Sequence, residues 1–188
     1  MTQCTDIVPG SLSDVATMTG HSLAETFIDA AAVILVDTSG SMDIRDSRGK
    51  RSRYDVALEE LASLQRAIPG RLAVIAFSHM PLFVPGGQPP FLGGGTNLTA
   101  ALKFAKAADV PGMRFILVSD GEPDNETAAL SIARTYRAKI DVVYVGPEDR
   151  PHGRHFLQRL AAACGGEAVT ADRVKELASK VQTLLLGE

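Results

Sequence analysis

Five side chains with hard oxygen atoms stand at three places in the sequence. Asp37, Ser39 and Ser41 lie in one short run, D-T-S-G-S, while Thr96 and Asp120 follow much later. Mg²⁺ takes about six oxygen ligands, usually with one or two carboxylates among them, and two aspartates with three hydroxyls match that demand. Because the set contains no His or Cys, zinc fits poorly. The residue types therefore predict one divalent cation, with Mg²⁺ favoured and Mn²⁺ or Ca²⁺ as alternatives.

The first run has a spacing that can turn several oxygens toward one ion. Alternate residues of an extended segment point to the same side, so Asp37, Ser39 and Ser41 can face together. Gly40 allows a sharp turn between the serines because it has no Cβ. If Asp120 lies close to Asp37, the two carboxylates repel each other without a cation, and a divalent ion relieves that conflict.

Each of these residues also has an ordinary structural interpretation. An Asp after a strand commonly caps a helix or a turn, and a Ser in a turn forms local hydrogen bonds. Thr96 would then be the N-cap of a helix that begins near residue 97. The interpretation as a metal site depends on the five residues occurring together.

Four apolar runs rich in Val and Ile must position these side chains. Their interiors barely alternate between apolar and polar residues, which is typical of strands buried on both faces of a sheet. They cover residues 31–36, 72–77, 114–119 and 140–145. Apolar residues at three- and four-residue steps predict helices between and after the strands. These helices cover residues 54–67, 97–108, 126–138, 155–163 and 174–186.

Strand and helix patterns alternate along the chain. The predicted fold class is therefore α/β, with a doubly wound, mostly parallel, Rossmann-like sheet flanked by helices on both faces. Residues 167–170 predict a further short strand, and residues 81–84 an edge strand, because proline is tolerated at an edge. Ligands of such sheets bind beyond the carboxyl ends of the strands, where the strand order reverses. The D-T-S-G-S run and Asp120 each follow a predicted strand, and Thr96 follows a Gly-rich loop.

At these residues the sequence resembles a known family. The run from Asp37 to Ser41 is similar to the D-x-S-x-S signature of von Willebrand factor A domains. Thr96 resembles the distant threonine of that family, and Asp120, followed by glycine, resembles its second aspartate. The five positions together resemble a metal-ion-dependent adhesion site, and the resemblance covers about residues 31–186.

The resemblance implies a fold, a ligand set and a mode of binding. In the family, the two serines and one or both of the threonine and the second aspartate contact the ion directly or through water. An acidic residue of a protein partner often completes the shell of ligands. The C-terminal helix can shift and change affinity, and residues 174–186 would be that helix here. Cytoplasmic bacterial members often serve beside ring-shaped ATPases, which makes such an ATPase a candidate partner by family association.

The predicted domain organisation is simple. Residues 31–188 form the von Willebrand factor A-like domain, and residues 1–30 form an N-terminal arm outside the resemblance. We expect the arm to be irregular over residues 1–20. A short helix is predicted at residues 21–28, where Ser22 and Glu25 have the spacing of a capping box.

Composition and charge exclude several classes of function. A formal net charge of −3 gives no overall attraction to nucleic acid. The first 20 residues lack the pattern of a signal peptide, and no apolar run approaches the roughly 20 residues of a membrane span. Two distant cysteines without a C-x-x-C motif suit a reducing compartment. We therefore expect a cytoplasmic protein that binds neither nucleic acid nor membrane.

A rim for partner recognition is predicted around the ion. The charged stretch 43–53, D-I-R-D-S-R-G-K-R-S-R, would lie next to it and could attract an acidic partner. Other candidate rim residues follow the Gly-rich loop or the strand at 114–119, or lie within that loop. They are Asn97, Glu122 and Asp124, with Pro89, Pro90 and Phe91 as an apolar contact.

These observations predict a metal-dependent protein-binding module rather than an enzyme, because no catalytic base or nucleophile is evident beside the ion. One alternative is a Mg²⁺-dependent phosphoryl transferase or hydrolase in which Asp37 is the nucleophile. Against it, the residue two positions later is Ser39, where a second carboxylate would assist acid–base chemistry. Another alternative is a scaffold subunit whose ion only ties the loops together.

Overall fold

The computed structural model of the chain describes residues 7–147 and 151–170. Within these residues, six strands form one central sheet. They are β1 (Ala32–Asp37), β2 (Leu72–Phe77), β3 (Pro81–Phe83), β4 (Arg114–Ser119), β5 (Ile140–Tyr144) and β6 (Ala168–Thr170). Their order across the sheet is β3-β2-β1-β4-β5-β6. The continuous apolar runs form the inner strands because they can be buried on both faces.

The strand order reverses between β1 and β4, which are neighbouring parallel strands. Their register pairs Val36 with Val118, so the residues that follow both strands emerge at the same edge. Every pairing is parallel except that of β3 with β2. This arrangement confirms the predicted α/β fold with a mostly parallel sheet and an edge strand that contains proline.

Helices cover the two faces of the sheet. They are α1 (Leu12–Thr19), α2 (Leu23–Ile28), α3 (Arg53–Ala67), α4 (Leu98–Ala105), α5 (Glu126–Ala133) and α6 (Pro151–Ala163). One buried cluster joins the sheet to α3 through Val56, Leu61 and Leu64. A second cluster, on the opposite face, includes Leu98 of α4 and Phe156 of α6. Among the described residues, no helix is both long and apolar enough to cross a membrane.

The N-terminal arm is more ordered than expected. The prediction of irregular structure over residues 1–20 is wrong for α1, whose Leu12 is buried in the same cluster as the β2 residue Ile75. Ser11 caps this helix by accepting the Asp14 N–H, and backbone hydrogen bonds tie the arm to the domain at Gly86 and Gly70. The predicted capping box of Ser22 and Glu25 is confirmed at the start of α2.

Two predicted helices are shorter than their sequence patterns. Helix α4 ends at Ala105 and continues as a 3₁₀ turn, and α5 ends at Ala133 rather than at residue 138. Tertiary contacts account for the early end of α5. Asp109 accepts the N–H groups of Arg137 and Ala138, and Tyr136 donates its hydroxyl to Leu102. These contacts hold the end of the α5 pattern in a non-helical conformation. The predicted helix at 174–186 lies outside the described residues.

Candidate functional site

The two aspartates of the predicted set lie at the carboxyl ends of adjacent strands. Asp37 is the last residue of β1, and Asp120 follows β4 directly. Both are buried, with at most 1% of their surface exposed. The order of the strands therefore brings together two carboxylates that are 83 positions apart in the sequence (120 − 37).

Asp37 is held firmly by neutral donors. Its Oδ1 accepts the Ser39 N–H at 2.9 Å, and its Oδ2 accepts the Ser119 hydroxyl at 2.7 Å. Burial, followed by the negative charge of Asp120, raises the pKa of Asp37 from 3.8 to about 7. Two buried carboxylates in one place thus carry an electrostatic cost that a cation would remove.

Ser39 and Ser41 have their hydroxyl oxygens on the same side of the chain, 3.2 Å apart. Ser39 is extended and fully buried, and the 3₁₀ turn Gly40–Asp43 begins directly after it. Ser41 is half-buried, so its hydroxyl is the more accessible of the two. Of the three side chains expected to face together, the two serines therefore have adjacent hydroxyls, while Asp37 accepts the Ser39 backbone N–H.

The Gly-rich loop packs on the D-T-S-G-S run. The Gly40 N–H donates to Gly94 at 2.8 Å, and the Gly93 N–H donates to Thr38 at 2.9 Å. Gly94 has a φ of +76°, and a Cβ there would lie 2.1 Å from Nε2 of His79. The left-handed backbone conformation therefore favours glycine at this position, and any Cβ there would also displace the His79 ring.

Thr96 is buried between this loop and the loop that follows β4. Its N–H donates to Oδ1 of Asp124 at 2.9 Å, and its carbonyl accepts the Asp124 N–H at 3.0 Å. The N-cap of α4 is Asn97, whose side chain accepts the Ala100 N–H. The capping interpretation of Thr96 is therefore wrong.

Asp120 has a partner that the sequence analysis did not anticipate. Its Oδ2 accepts Nη1 of Arg53 at 2.7 Å, while its Oδ1 accepts the Glu122 N–H at 3.3 Å. The remaining face of the Arg53 guanidinium forms a fork with Asp46, from Nε at 2.9 Å and from Nη2 at 2.8 Å. Arg53 is only 1% exposed. Burial opposes its charged form, but these two carboxylates outweigh burial and raise the pKa of Arg53.

The buried position of Arg53 differs from the predicted rim. The stretch 43–53 is predicted to form a rim that attracts an acidic partner, and Asp43, Ile44 and Arg45 are exposed, but Arg53 lies in the interior. One signal in the sequence pointed to this. Ser52 caps α3, which makes Arg53 its first residue, and a helix N-terminus disfavours a cation. A basic residue at this position is stabilised when an acidic side chain pairs with it.

The outer rim is both charged and apolar. Glu122 and Asp124 are exposed and Asn97 is half-buried. Phe91 is exposed and packs edge-on against Tyr54, whose hydroxyl donates to Pro89. Pro89 itself is buried and Pro90 half-buried, so of the predicted apolar contacts Phe91 is the exposed one. Sequence reasoning missed two further exposed apolar residues of these loops, Ile44 and Leu92.

The donor chemistry fits a hard divalent cation. Within residues 7–147 and 151–170, no group of three or more His, Cys, Asp or Glu side chains could hold a metal. A site at this edge would therefore depend on hydroxyls beside its two carboxylates. Oxygen-only sets of this kind suit Mg²⁺ and Mn²⁺ rather than zinc. The buried pair Asp37 and Asp120, with the adjacent serine hydroxyls, is such a set.

Comparison with solved structures shows the fold. A chain from an aerotolerance-related membrane protein of Bacteroides fragilis matches with a TM-score of 0.65 and 16% identity, covering 85% of this chain and 100% of that chain. The manganese-loaded TRAP protein of Plasmodium vivax matches with a TM-score of 0.61 and 15% identity, covering 84% and 74%. The vWF domain of a type V pilus tip protein of Porphyromonas gingivalis matches with a TM-score of 0.59 and 14% identity, covering 83% and 95%. No protein-family model and no curated protein matches the sequence.

Proposed function

The chain has the fold of von Willebrand factor A domains, and from this premise we propose that it is a protein-binding module that uses one divalent cation. The observation that carries the proposal is the buried pair of Asp37 and Asp120 at the ends of β1 and β4. Mg²⁺ is the proposed ion, with Mn²⁺ or Ca²⁺ as alternatives.

Five residues would hold the ion. Asp37 and Asp120 would supply negative charge, and Ser39, Ser41 and Thr96 would supply neutral oxygens. When bound, the cation supplies a positive site for a carboxylate oxygen of a protein partner. The chain itself orients the ligands through the Ser39 and Ser119 hydrogen bonds to Asp37 and through the Asp124 bonds to Thr96.

The surroundings of the site favour binding of an extended protein surface. Exposed apolar side chains, Ile44, Phe91 and Leu92, lie on the loops that meet the D-T-S-G-S run, and Glu122 and Asp124 are exposed on the loop after β4. An apolar area beside a polar anchor is a usual composition for a protein interface. The matched structures include a manganese-loaded protein and a pilus tip domain, which supports this class of function.

The geometry around Asp37 favours binding over catalysis. A nucleophilic aspartate needs an oxygen that can reach its substrate, whereas Asp37 is fully buried and both of its oxygens accept hydrogen bonds. We therefore propose that the protein is not an enzyme. A carboxylate-bearing protein partner is proposed, and a ring-shaped ATPase is the candidate that the family association suggests.

Calorimetric titration with Mg²⁺ tests the proposal. We expect saturable one-site binding by the wild-type protein and its loss in Asp37→Asn, which keeps the shape of the side chain but removes its charge. Asp43→Asn is the matched control, because Asp43 is exposed and outside the proposed set. Absence of Mg²⁺, Mn²⁺ and Ca²⁺ binding by folded wild-type protein would contradict a metal-dependent function.

A further inference from the structure

Arg53 lies against a proposed ligand of the ion. Its Nη1 is 2.7 Å from Oδ2 of Asp120, and both groups are 1% exposed. Among the residues that the structure describes, the other oxygen of Asp120, Oδ1, accepts a hydrogen bond only from the Glu122 N–H, at the longer distance of 3.3 Å. The two oxygens of Asp120 therefore differ, since one already faces a positive charge and the other faces a neutral donor.

The guanidinium is fixed in this position. Nε and Nη2 form a fork with the two oxygens of Asp46, and Nη1 alone points to Asp120. The Arg53 N–H also donates to Ile44, which anchors the start of α3 to the preceding loop. Reorienting a buried guanidinium that forms three such bonds is costly, because it would break the buried ion pair between Arg53 and Asp120.

The fixed charge limits how Asp120 can bind a metal. A neutral donor and a metal ion can share one carboxylate oxygen, but a guanidinium and a divalent cation on the same oxygen repel each other at short range. Oδ2 is therefore unfavourable for a metal, and Oδ1 remains. In contrast, the donors to Asp37 are a backbone N–H and a hydroxyl, which carry no charge.

The candidate ions differ in what they require of a carboxylate. Ca²⁺ takes six to eight oxygens and commonly uses both oxygens of one carboxylate, whereas Mg²⁺ requires an octahedron of single oxygens. An aspartate restricted to one oxygen suits the smaller ion and deprives the larger ion of a ligand.

We propose that Arg53 is the residue that determines cation specificity, because it restricts Asp120 to one-oxygen ligation and so favours Mg²⁺ or Mn²⁺ over Ca²⁺. This inference rests on the proposed function, since it concerns the same site. Arg53 acts through Asp120 and is therefore a positioning residue. Its positive charge weakens binding of every divalent cation alike, so the ratio of two affinities isolates its geometric effect.

The test is calorimetric titration of Mg²⁺ and Ca²⁺ in wild type, Arg53→Gln and Asp46→Asn. For Arg53→Gln we expect both affinities to rise and the ratio of Ca²⁺ to Mg²⁺ affinity to rise by about tenfold, which corresponds to ~1.4 kcal/mol. Asp46→Asn is the matched control, because it weakens the fork but leaves Nη1 beside Asp120. Its ratio is expected to stay at the wild-type value.

Two further variants keep the test decisive. If Arg53→Gln does not fold, the double variant Asp46→Asn/Arg53→Gln also removes the charge of Asp46, one of the two carboxylates that Arg53 binds, and is titrated instead. Arg53→Lys retains the charge, and we expect it to keep the wild-type preference for Mg²⁺. An unchanged ratio in a folded Gln variant overturns the role of Arg53, while the proposed function stands. Wild-type protein that binds no cation contradicts the proposed function itself.

Discussion

At the scale of single residues, the proposed site brings together buried carboxylates that repel each other. Asp37 and Asp120 are buried close enough for the charge of Asp120 to help raise the pKa of Asp37. The positive charge of Arg53 neutralises part of this negative charge, but Arg53 also pairs with Asp46. Arg53 alone does not offset the two buried carboxylates, and a cation that binds the folded protein but not the unfolded chain would stabilise it.

The raised pKa of Asp37 predicts how the metal-free protein responds to pH. The unfolded chain releases the proton near pH 3.8 and the folded chain near pH 7, so the folded state holds more protons between these values. The free energy of unfolding should therefore fall as pH rises through this window, by up to ~1.4 kcal/mol per pH unit. Urea unfolding in the presence of a chelator, at several pH values, measures this slope.

Asp37→Asn is the control for that experiment, because the amide does not titrate. We expect the variant to lose the part of the slope that belongs to Asp37, while other acidic groups continue to contribute. The same slope in both proteins would show that Asp37 ionises normally when the metal is absent.

At the scale of elements, helix capping and proposed metal binding belong to different, neighbouring residues. In the sequence, Thr96 was a candidate for both roles. Asn97 caps α4, and Thr96, the preceding residue, lies buried with its backbone bound to Asp124. In the same way, Ser52 caps α3 while the next residue, Arg53, reaches Asp120. Each helix thus begins with a structural cap beside a residue of the proposed site or its positioning residue.

This separation predicts that one of two neighbouring substitutions mainly lowers stability and the other mainly weakens Mg²⁺ binding. Asn97→Ala should lower the free energy of unfolding by ~1 kcal/mol through loss of a cap and leave Mg²⁺ affinity nearly unchanged. Thr96→Ala should change stability less and weaken Mg²⁺ binding, since its hydroxyl does not cap the helix. Thermal unfolding in a chelator and calorimetric titration measure the two effects separately. Normal Mg²⁺ affinity in Thr96→Ala would remove Thr96 from the ligand set.

At the scale of the whole molecule, the arm before β1 is part of the folded unit. Leu12 is buried in the core, and Gly10 approaches the backbone of α3 so closely that a Cβ would lie 2.4 Å from the carbonyl oxygen of Gln65. Backbone hydrogen bonds also join the arm to the loops after α3 and β3. The arm therefore contributes buried surface in addition to the family-like region.

Two substitutions in α1 test this contribution. Leu12→Ala should lower the free energy of unfolding by about 2–4 kcal/mol, because it leaves a cavity in the core. Met18→Ala is the matched control in the same helix, since Met18 is 78% exposed and should cost little. Equal denaturant midpoints for the two variants would show that the arm does not belong to the cooperative unit.

The sequence by itself determined most of the strands and helices after residue 20, and the residue types proposed as ligands. Buried strands have continuous apolar runs, so the bounds of β2 and β4 agree with prediction, and the Ser22 capping box was predicted from spacing alone. The proposed ligands could be chosen because oxygen chemistry is a property of residue type. These features are local, since each depends on residues within a few positions of one another.

Only the tertiary structure decided which elements meet. It placed β4 beside β1, which brings Asp120 to Asp37, and it buried Arg53 between Asp46 and Asp120. It also ended α5 early, through the Asp109 contacts with residues 137 and 138. Such pairings join residues from 7 to 83 positions apart in the chain (53 − 46 and 120 − 37). Local periodicity and spacing carry no information about the free energy of those contacts, because it arises only when the strands have been ordered in the sheet.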